Sequence, residues 1–209
     1  MLKKKKRMDL NEYHDRETVD KLIKFAEHIG ATKVKRLAPE CVRIEDKLAT
    51  FCHDPKCPHW GQSMSCPPYV AGPASLIQLL QSCKHAIVIR VEIQSSSLHG
   101  EDRPEVMRLL HEITAEIETE AIRLGFTESS GFAGGSCKPS FCPEHIHCRV
   151  IEEQGKCRHP EHARPSMSGY GVNVGELMKS AGWSNKLFTS DTSDNEEQLS
   201  WVAGLILLR

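Results

Sequence analysis

Seven of the nine cysteines in this 209-residue chain fall in two segments that show no regular hydrophobic pattern. The segments are Cys52-x4-Cys57-x8-Cys66 and Cys137-x4-Cys142-x5-Cys148-x8-Cys157. Both are rich in proline, glycine and polar residues, so strand or helix hydrogen bonds are not expected to hold them. Clustered thiols on such a backbone are typical of zinc and iron–sulfur sites. The two cysteine loops, at about 52–68 and 136–168, are therefore candidate metal-binding loops.

The rest of the sequence favours a reducing compartment for these thiols. The basic segment at residues 1–7 is followed by polar and acidic residues, not by the apolar stretch of a signal peptide. No apolar run reaches the roughly 18 residues that a membrane span needs. The formal net charge is −1, which gives no overall attraction to nucleic acid. We therefore expect a cytoplasmic protein that binds neither membrane nor nucleic acid and keeps its thiols reduced.

Hydrophobic periodicity predicts helices that alternate with short strands. The helices are expected at residues 16–28, 73–83, 104–124 and 174–181, and the strands at 32–37, 42–44, 85–93, 128–135 and 201–208. The strand at 85–93 is almost wholly apolar and is expected to be buried on both faces. We predict a single domain, residues 1–209, of the α/β or α+β class. Its expected architecture is a two-layer sandwich of a small mixed sheet with helices, carrying two irregular cysteine-rich metal-binding loops.

The cysteine spacing favours iron–sulfur clusters over zinc. Zinc sites usually hold the metal with short spacings of about two to four residues, and this chain contains no Cys-x-x-Cys. The wider gaps suit a cluster in which each cysteine binds a different iron atom. Proline follows Cys57, Cys66 and Cys142, as it follows a ligand in bacterial ferredoxin loops. Cys/His zinc sites remain the alternative, because the loops also contain His53, His59, His145 and His147.

The two loops differ in how many ligands they offer. Four cysteines in the second loop make a complete set for one [4Fe–4S] cluster, whereas the first loop has three. The fourth ligand of the first loop is Cys41, Cys83, a non-cysteine group, or an open position for solvent or substrate. Cys41 and Cys83 both flank apolar positions, which favours simple packing for each. The predicted metal ligands are Cys52, Cys57, Cys66, Cys137, Cys142, Cys148 and Cys157.

At these loops the sequence resembles a family of predicted cysteine-rich metal-binding proteins, domain of unknown function 2284, found largely in anaerobes. The resemblance spans about residues 52–181. It rests on Cys66-Pro67-Pro68, the loop from Cys137 to Cys157, the segment Cys157-Arg158-His159-Pro160-Glu161-His162-Ala163-Arg164-Pro165-Ser166-Met167, and the run 169–174. In the family the cysteines of the second loop are usually closer together, which leaves Cys148 or a nearby histidine as the third ligand there. The resemblance implies metal binding, as iron–sulfur clusters, and no particular reaction.

Two arginines near the last cysteine are candidate cofactor-binding residues. Arg158 and Arg164 would place positive charge beside a cluster that is net negative, which raises its reduction potential. They could instead hold an anionic substrate near an open iron. The structural alternative is that Arg164 pairs with a carboxylate and that Met167 fills a gap in the core.

Three functions remain open from the sequence. The leading hypothesis is an electron carrier with two [4Fe–4S] clusters that serves a redox partner protein. The second is an enzyme in which an open iron of the first loop acts on a small-molecule substrate as a Lewis acid or sulfur acceptor. The third is a zinc-stabilised binding module. The fourth ligand of the first loop separates the first two, because an open position favours the enzyme.

Overall fold

The computed structural model describes residues 10–186 and 199–209, and within them the chain forms eight α-helices and four strands. The helices are α1 (Leu10–His28), α2 (Asp46–Thr50), α3 (Gly72–Ser82), α4 (Ser95–His99), α5 (Arg103–Arg123), α6 (Cys137–Phe141), α7 (Arg149–Glu152) and α8 (Val174–Ser180). The strands are β1 (Lys33–Leu37), β2 (His85–Gln94), β3 (Ser130–Ala133) and β4 (Leu199–Leu208). Short 3-10 helices occupy Pro39–Cys41 and Met167–Tyr170. Helices and strands share one sheet-based core, which confirms the predicted fold class.

The four strands form one sheet in the order β1-β2-β4-β3. Every neighbouring pair is antiparallel, and β2 and β4 pair along their full lengths from His85↔Leu208 to Gln94↔Leu199. The predicted mixed sheet is therefore corrected to an antiparallel one, with only an isolated parallel bridge from Ala133 to Ser166. Strands β2 and β3 do run in the same direction and are joined by a crossover that contains α5, but β4 lies between them, so no two neighbouring strands are parallel.

Both faces of the sheet are covered. On one face Ile87 and Ile89 of β2 pack into a cluster with residues of α1 and α5. On the other face Val88 packs with Leu76 of α3 and Leu177 of α8. The double burial predicted for β2 is thus confirmed, and it places helices in a layer on each side of the sheet. The architecture has three layers where the sequence predicted two.

Helix α5 lies unusually close to the central strand β4. A Cβ atom on Gly204 of β4 would lie 2.6 Å from the hydroxyl oxygen of Thr114 in α5, a distance that side chains do not tolerate. Glycine at this position therefore permits the close approach. The contact matters for the candidate sites, because α5 and β4 together support β3 and the start of the second cysteine loop.

The strand predicted at residues 42–44 does not form. Ile44 makes only an isolated bridge with Val172, and the backbone of Arg43 accepts a hydrogen bond from the Asn173 N–H at 2.9 Å. This segment is held by the loop around residue 172 and not by a sheet strand, because Pro39 begins a 3-10 helix just before it. Among the described helices, none combines the length and apolar character needed to cross a bilayer. The single-domain organisation remains a prediction.

Candidate metal centres

Cys137, Cys142, Cys148 and Cys157 line one narrow cavity of about 20 Å³, here called the four-cysteine site. The spacing of the first pair has a simple structural origin. Cys137 begins the single-turn helix α6 and Cys142 directly follows it, so the helix brings the two residues to the same region. Cys148 directly precedes α7, and its backbone carbonyl accepts hydrogen bonds from that helix. The structure therefore brings all four predicted ligands of the second loop together.

Three cationic side chains, those of Lys138, Arg149 and Arg158, line the same cavity. The Lys138 ammonium donates to the carbonyl oxygens of Cys142, at 2.8 Å, and of His145. Burial raises the pKa of the Cys142 thiol, while the charges of Lys138 and Arg158 act in the opposite direction. The three cations line the cavity together with the four thiols, so a net negative group bound there would be attracted to them.

A backbone amide also points at one of these sulfurs. The N–H of His159 donates to the sulfur of Cys157 at 3.4 Å. Such N–H···S contacts stabilise negative charge on a cysteine ligand and are one of the ways in which proteins tune iron–sulfur sites. The Cys157-Arg158-His159 segment therefore contributes a thiol, a cation and a backbone N–H donor to the four-cysteine site.

The two candidate arginines are placed differently. Arg158 lines the four-cysteine cavity, whereas Arg164 is engaged by the Glu118 carboxylate of α5. The Arg164 guanidinium also donates to the carbonyl oxygens of Pro160 and Ala163. Met167 is only 1% exposed and belongs to the core. These contacts agree with the alternative in which Arg164 pairs with a carboxylate and Met167 packs in the core, so that neither contacts a cofactor.

Cys52, Cys57 and Cys66 line a second cavity, here called the three-cysteine site, of about 510 Å³ and partly open to solvent. Helix α2 ends just before Cys52, and a turn then brings the Cys57 N–H to the Cys52 carbonyl at 3.1 Å. Cys66 is buried. Burial raises the pKa of the Cys52 thiol, and the nearby Cys57 and Cys66 act in the same direction.

Neither additional cysteine lines the three-cysteine cavity. Cys41 is exposed at the end of the first 3-10 helix, which contradicts the expectation that it packs in the core. Its neighbour Val42 packs in the core instead, and Pro39 is buried as well. Cys83 is partly buried against the core and its thiol donates to the Leu79 carbonyl at 3.1 Å, in agreement with a packing role.

The three-cysteine cavity is also lined by polar groups. Nothing in the sequence indicated that these groups lie together. They include the His59 imidazole and the guanidinium of Arg103, at the start of α5. Burial lowers the pKa of His59, and the charge of Arg103 lowers it further. Trp60 and Phe51 supply apolar walls. Arg103 is 37 residues after Cys66, and only the folded chain brings the two together.

Three buried serines connect the two sites, and sequence analysis missed them. Ser136 lines the three-cysteine cavity and Ser63 lines the four-cysteine cavity, yet their hydroxyl oxygens lie 3.3 Å apart. The Ser63 hydroxyl also lies 2.9 Å from that of Ser65. The Ser65 hydroxyl in turn is 3.7 Å from the Cys66 sulfur and accepts the Cys137 N–H at 3.2 Å. Serine is common in loops, so its position in the sequence carried no signal.

Among the residues with described positions, no three His, Cys, Asp or Glu side chains converge closely enough to hold a single metal ion. A cluster makes a different demand, since each of its cysteines binds a separate iron atom. The donor chemistry of four thiols, three cations and an amide N–H around one cavity fits an iron–sulfur cluster.

Comparison with known proteins gives one match. The family model for predicted metal-binding proteins, DUF2284, matches residues 35–208, which include both cysteine sites. No curated protein and no solved structure matches the chain.

Proposed function

Because the chain belongs to the DUF2284 family of predicted metal-binding proteins, we propose that it binds two [4Fe–4S] clusters, one in each cysteine site, and transfers electrons to a partner protein. The observation that carries this proposal is the four-cysteine site. Its four thiols, from three short segments of the second loop, surround one cavity with Lys138, Arg149 and Arg158. Soft thiolate donors within a cationic surrounding suit a cluster that is itself negatively charged.

Electron transfer is the role that a fully cysteine-ligated cluster supports best, since it has no open iron for a substrate. A bound cluster supplies one-electron redox chemistry. The chain fixes its ligands and balances the added negative charge through Lys138 and Arg158, whose charges already favour the thiolate of Cys142. Each electron would come from a donor protein of lower potential, which becomes oxidised, and would leave to an acceptor protein, which becomes reduced.

The three-cysteine site favours a second candidate function. Its cavity of about 510 Å³ is lined by three thiols and by neither Cys41 nor Cys83. A cluster held there by three cysteines would keep a position for His59 or for a small-molecule substrate. Arg103 would then orient an anionic group of the substrate, and Trp60 and Phe51 would contact its apolar part. This is the enzyme alternative, in which the open iron serves as a Lewis acid or sulfur acceptor.

Metal and sulfide analysis of anaerobically purified protein tests the proposal. We expect brown protein with comparable amounts of iron and acid-labile sulfide, and a paramagnetic signal after reduction. Colourless protein with stoichiometric zinc and no sulfide would overturn it in favour of a zinc-stabilised module.

The enzyme candidate has its own test. Adding a small thiol or carboxylate to the reduced protein should change the paramagnetic spectrum of the three-cysteine site when an iron position is open. The variant His59→Ala shows whether the fourth ligand position of the three-cysteine site is held by the His59 imidazole or is open to a substrate. If the imidazole is the ligand, His59→Ala changes the spectrum before any addition. If the position is open, His59→Ala leaves the spectrum as it is and the added molecule changes it in both proteins.

A further inference from the structure

We propose that the buried hydroxyl of Ser65 is a positioning residue shared by both cysteine sites and sets the reduction potentials of both. This inference rests on the proposed function, since it requires a redox centre in each site. The hydroxyl would act through the sulfur ligands Cys66 and Cys137, one from each site. Ser63 and Ser136 complete the connection between the two cavities.

The distances place Ser65 between the sites. Its hydroxyl oxygen is 3.7 Å from the Cys66 sulfur and 3.2 Å from the backbone nitrogen of Cys137, whose N–H it accepts. Burial raises the pKa of the Cys137 thiol, and hydrogen bonds with Ser65 and then Ser63 oppose that rise. One hydroxyl group therefore lies beside the sulfur of Cys66 in one site and accepts the backbone N–H of Cys137 in the other.

The position of Ser65 is fixed from several directions. Ser63, Ser65 and Ser136 are 1%, 6% and 3% exposed, so water does not compete strongly for their hydroxyls. The Ser65 carbonyl accepts the Ser166 N–H at 2.8 Å, which fastens the first loop to the segment before the second 3-10 helix. Ser136 also accepts the Lys138 N–H and so caps α6, which begins with Cys137.

Hydroxyl donation to a cysteine sulfur has a defined electronic effect. It stabilises negative charge on the ligand, and the reduced state carries one more negative charge than the oxidised state. Loss of the hydroxyl therefore lowers the reduction potential. Ser65 has one proton to donate, and the Cys66 sulfur can take it while the Ser65 oxygen accepts the Cys137 N–H.

The test compares three serine-to-alanine variants of the full chain, each loaded with clusters anaerobically and titrated potentiometrically with detection by electron paramagnetic resonance. Ser65→Ala should shift the potentials of both centres to more negative values. Ser63→Ala should shift only the centre of the four-cysteine site. Ser140→Ala is the matched control, because Ser140 is a buried serine of the same loop whose hydroxyl has no hydrogen-bond partner in the described part of the chain. It should change neither potential.

The outcomes separate this inference from the proposed function. Wild-type protein that contains no iron and sulfide would refute the proposed function, and with it this inference. Fully loaded Ser65→Ala with unchanged potentials, or with only one changed, would refute the inference alone. If Ser65→Ala fails to load, Ser63→Ala decides: a negative shift at the four-cysteine site supports the serine connection, and unchanged potentials refute it.

Discussion

The Lys138 ammonium donates a 2.8 Å hydrogen bond to the carbonyl oxygen of Cys142, although the Lys138 residue is only 9% exposed. A buried ammonium is expensive unless it is paired, and here its partners are backbone carbonyls of the cysteine loop. The contact therefore joins α6 to the segment that follows it and holds Cys142 near Cys137. Because these partners are uncharged, the positive charge of Lys138 is not neutralised and still acts on the four-cysteine site.

Removal of this ammonium should loosen the second loop. In Lys138→Met the carbonyls of Cys142 and His145 each lose a hydrogen bond from the ammonium, and a hydrogen bond that involves a charged group contributes about 1.5–3 kcal/mol. We expect a loss of that size in the free energy of unfolding, measured with urea, and faster loss of iron on exposure to air. Lys156→Met, at an exposed position of the same loop, is the control. Equal stability of the two variants would contradict the anchoring role.

Single cysteine variants should show whether the loops hold separate centres. Cys57→Ala removes one ligand of the three-cysteine site and Cys142→Ala one ligand of the four-cysteine site. If each site holds its own cluster, each variant should lose about half of the iron and sulfide. Cys41→Ala, at an exposed cysteine outside both cavities, should lose none. Loss of all iron in both variants would indicate one shared centre.

The two arginines of the second loop should have separable effects. Arg158→Gln removes a charge that lines the four-cysteine cavity, so the reduction potential there should fall with little change in stability. Arg164→Gln breaks the largely buried contact with Glu118, so stability should fall, by about 2 kcal/mol for the lost charged hydrogen bond, with little change in potential. Potentiometric titration and urea unfolding of both variants measure the two effects. If the two variants changed the reduction potential and the free energy of unfolding by the same amounts, the separate roles of Arg158 and Arg164 would be contradicted.

His111 should make the stability of the protein sensitive to mild acid. Burial, together with the charge of Arg164, lowers the pKa of His111 from 6.5 to about 4, and the backbone of Gly134 only partly offsets this. Between these values the unfolded chain binds a proton that the folded chain does not, so stability falls as pH drops from 6.5 towards 4. The contribution is about 3 kcal/mol at pH 4 and is absent above pH 6.5.

The variant His111→Gln isolates this group. Glutamine can still accept the Arg164 N–H that the His111 ring accepts at 3.0 Å, but it does not titrate. Urea unfolding at pH 5 and pH 7 should show a smaller difference between the two pH values for His111→Gln than for the wild type. An unchanged pH dependence would show that other groups control the acid sensitivity.

Local patterns were enough to predict most elements of the fold. The apolar run of β2 and the periodicity of α5 each reflect contacts that recur at fixed intervals along the chain, so they are visible in the sequence. The burial of β2 on both faces was predicted, but the helices that cover the second face were not, because their identity depends on where α3 and α8 pack after the chain has turned. The strand expected at residues 42–44 failed for the same reason, since its partner is a loop about 130 residues away.

For the candidate sites, each cysteine group taken from the sequence lines one cavity, their role as metal ligands stays a prediction, and the sequence missed what surrounds them. Cysteine spacing is local, and each loop supplies its own set to one cavity. Arg103 and the Ser63–Ser136 contact join residues that lie far apart in the sequence and belong to common residue types. No spacing rule can pair them, so they became visible only in the folded chain.

The position of β4 in the sheet constrains the order in which the molecule can be assembled on the ribosome. The edge strand β3 leads directly to Ser136 and Cys137, and its neighbour in the sheet is β4, which is synthesised about 70 residues later. While translation is still short of residue 199, both cysteine loops and α5 already exist, but the contribution of β4 to the support of the second loop does not. We therefore expect metal insertion in the second loop to follow synthesis of β4.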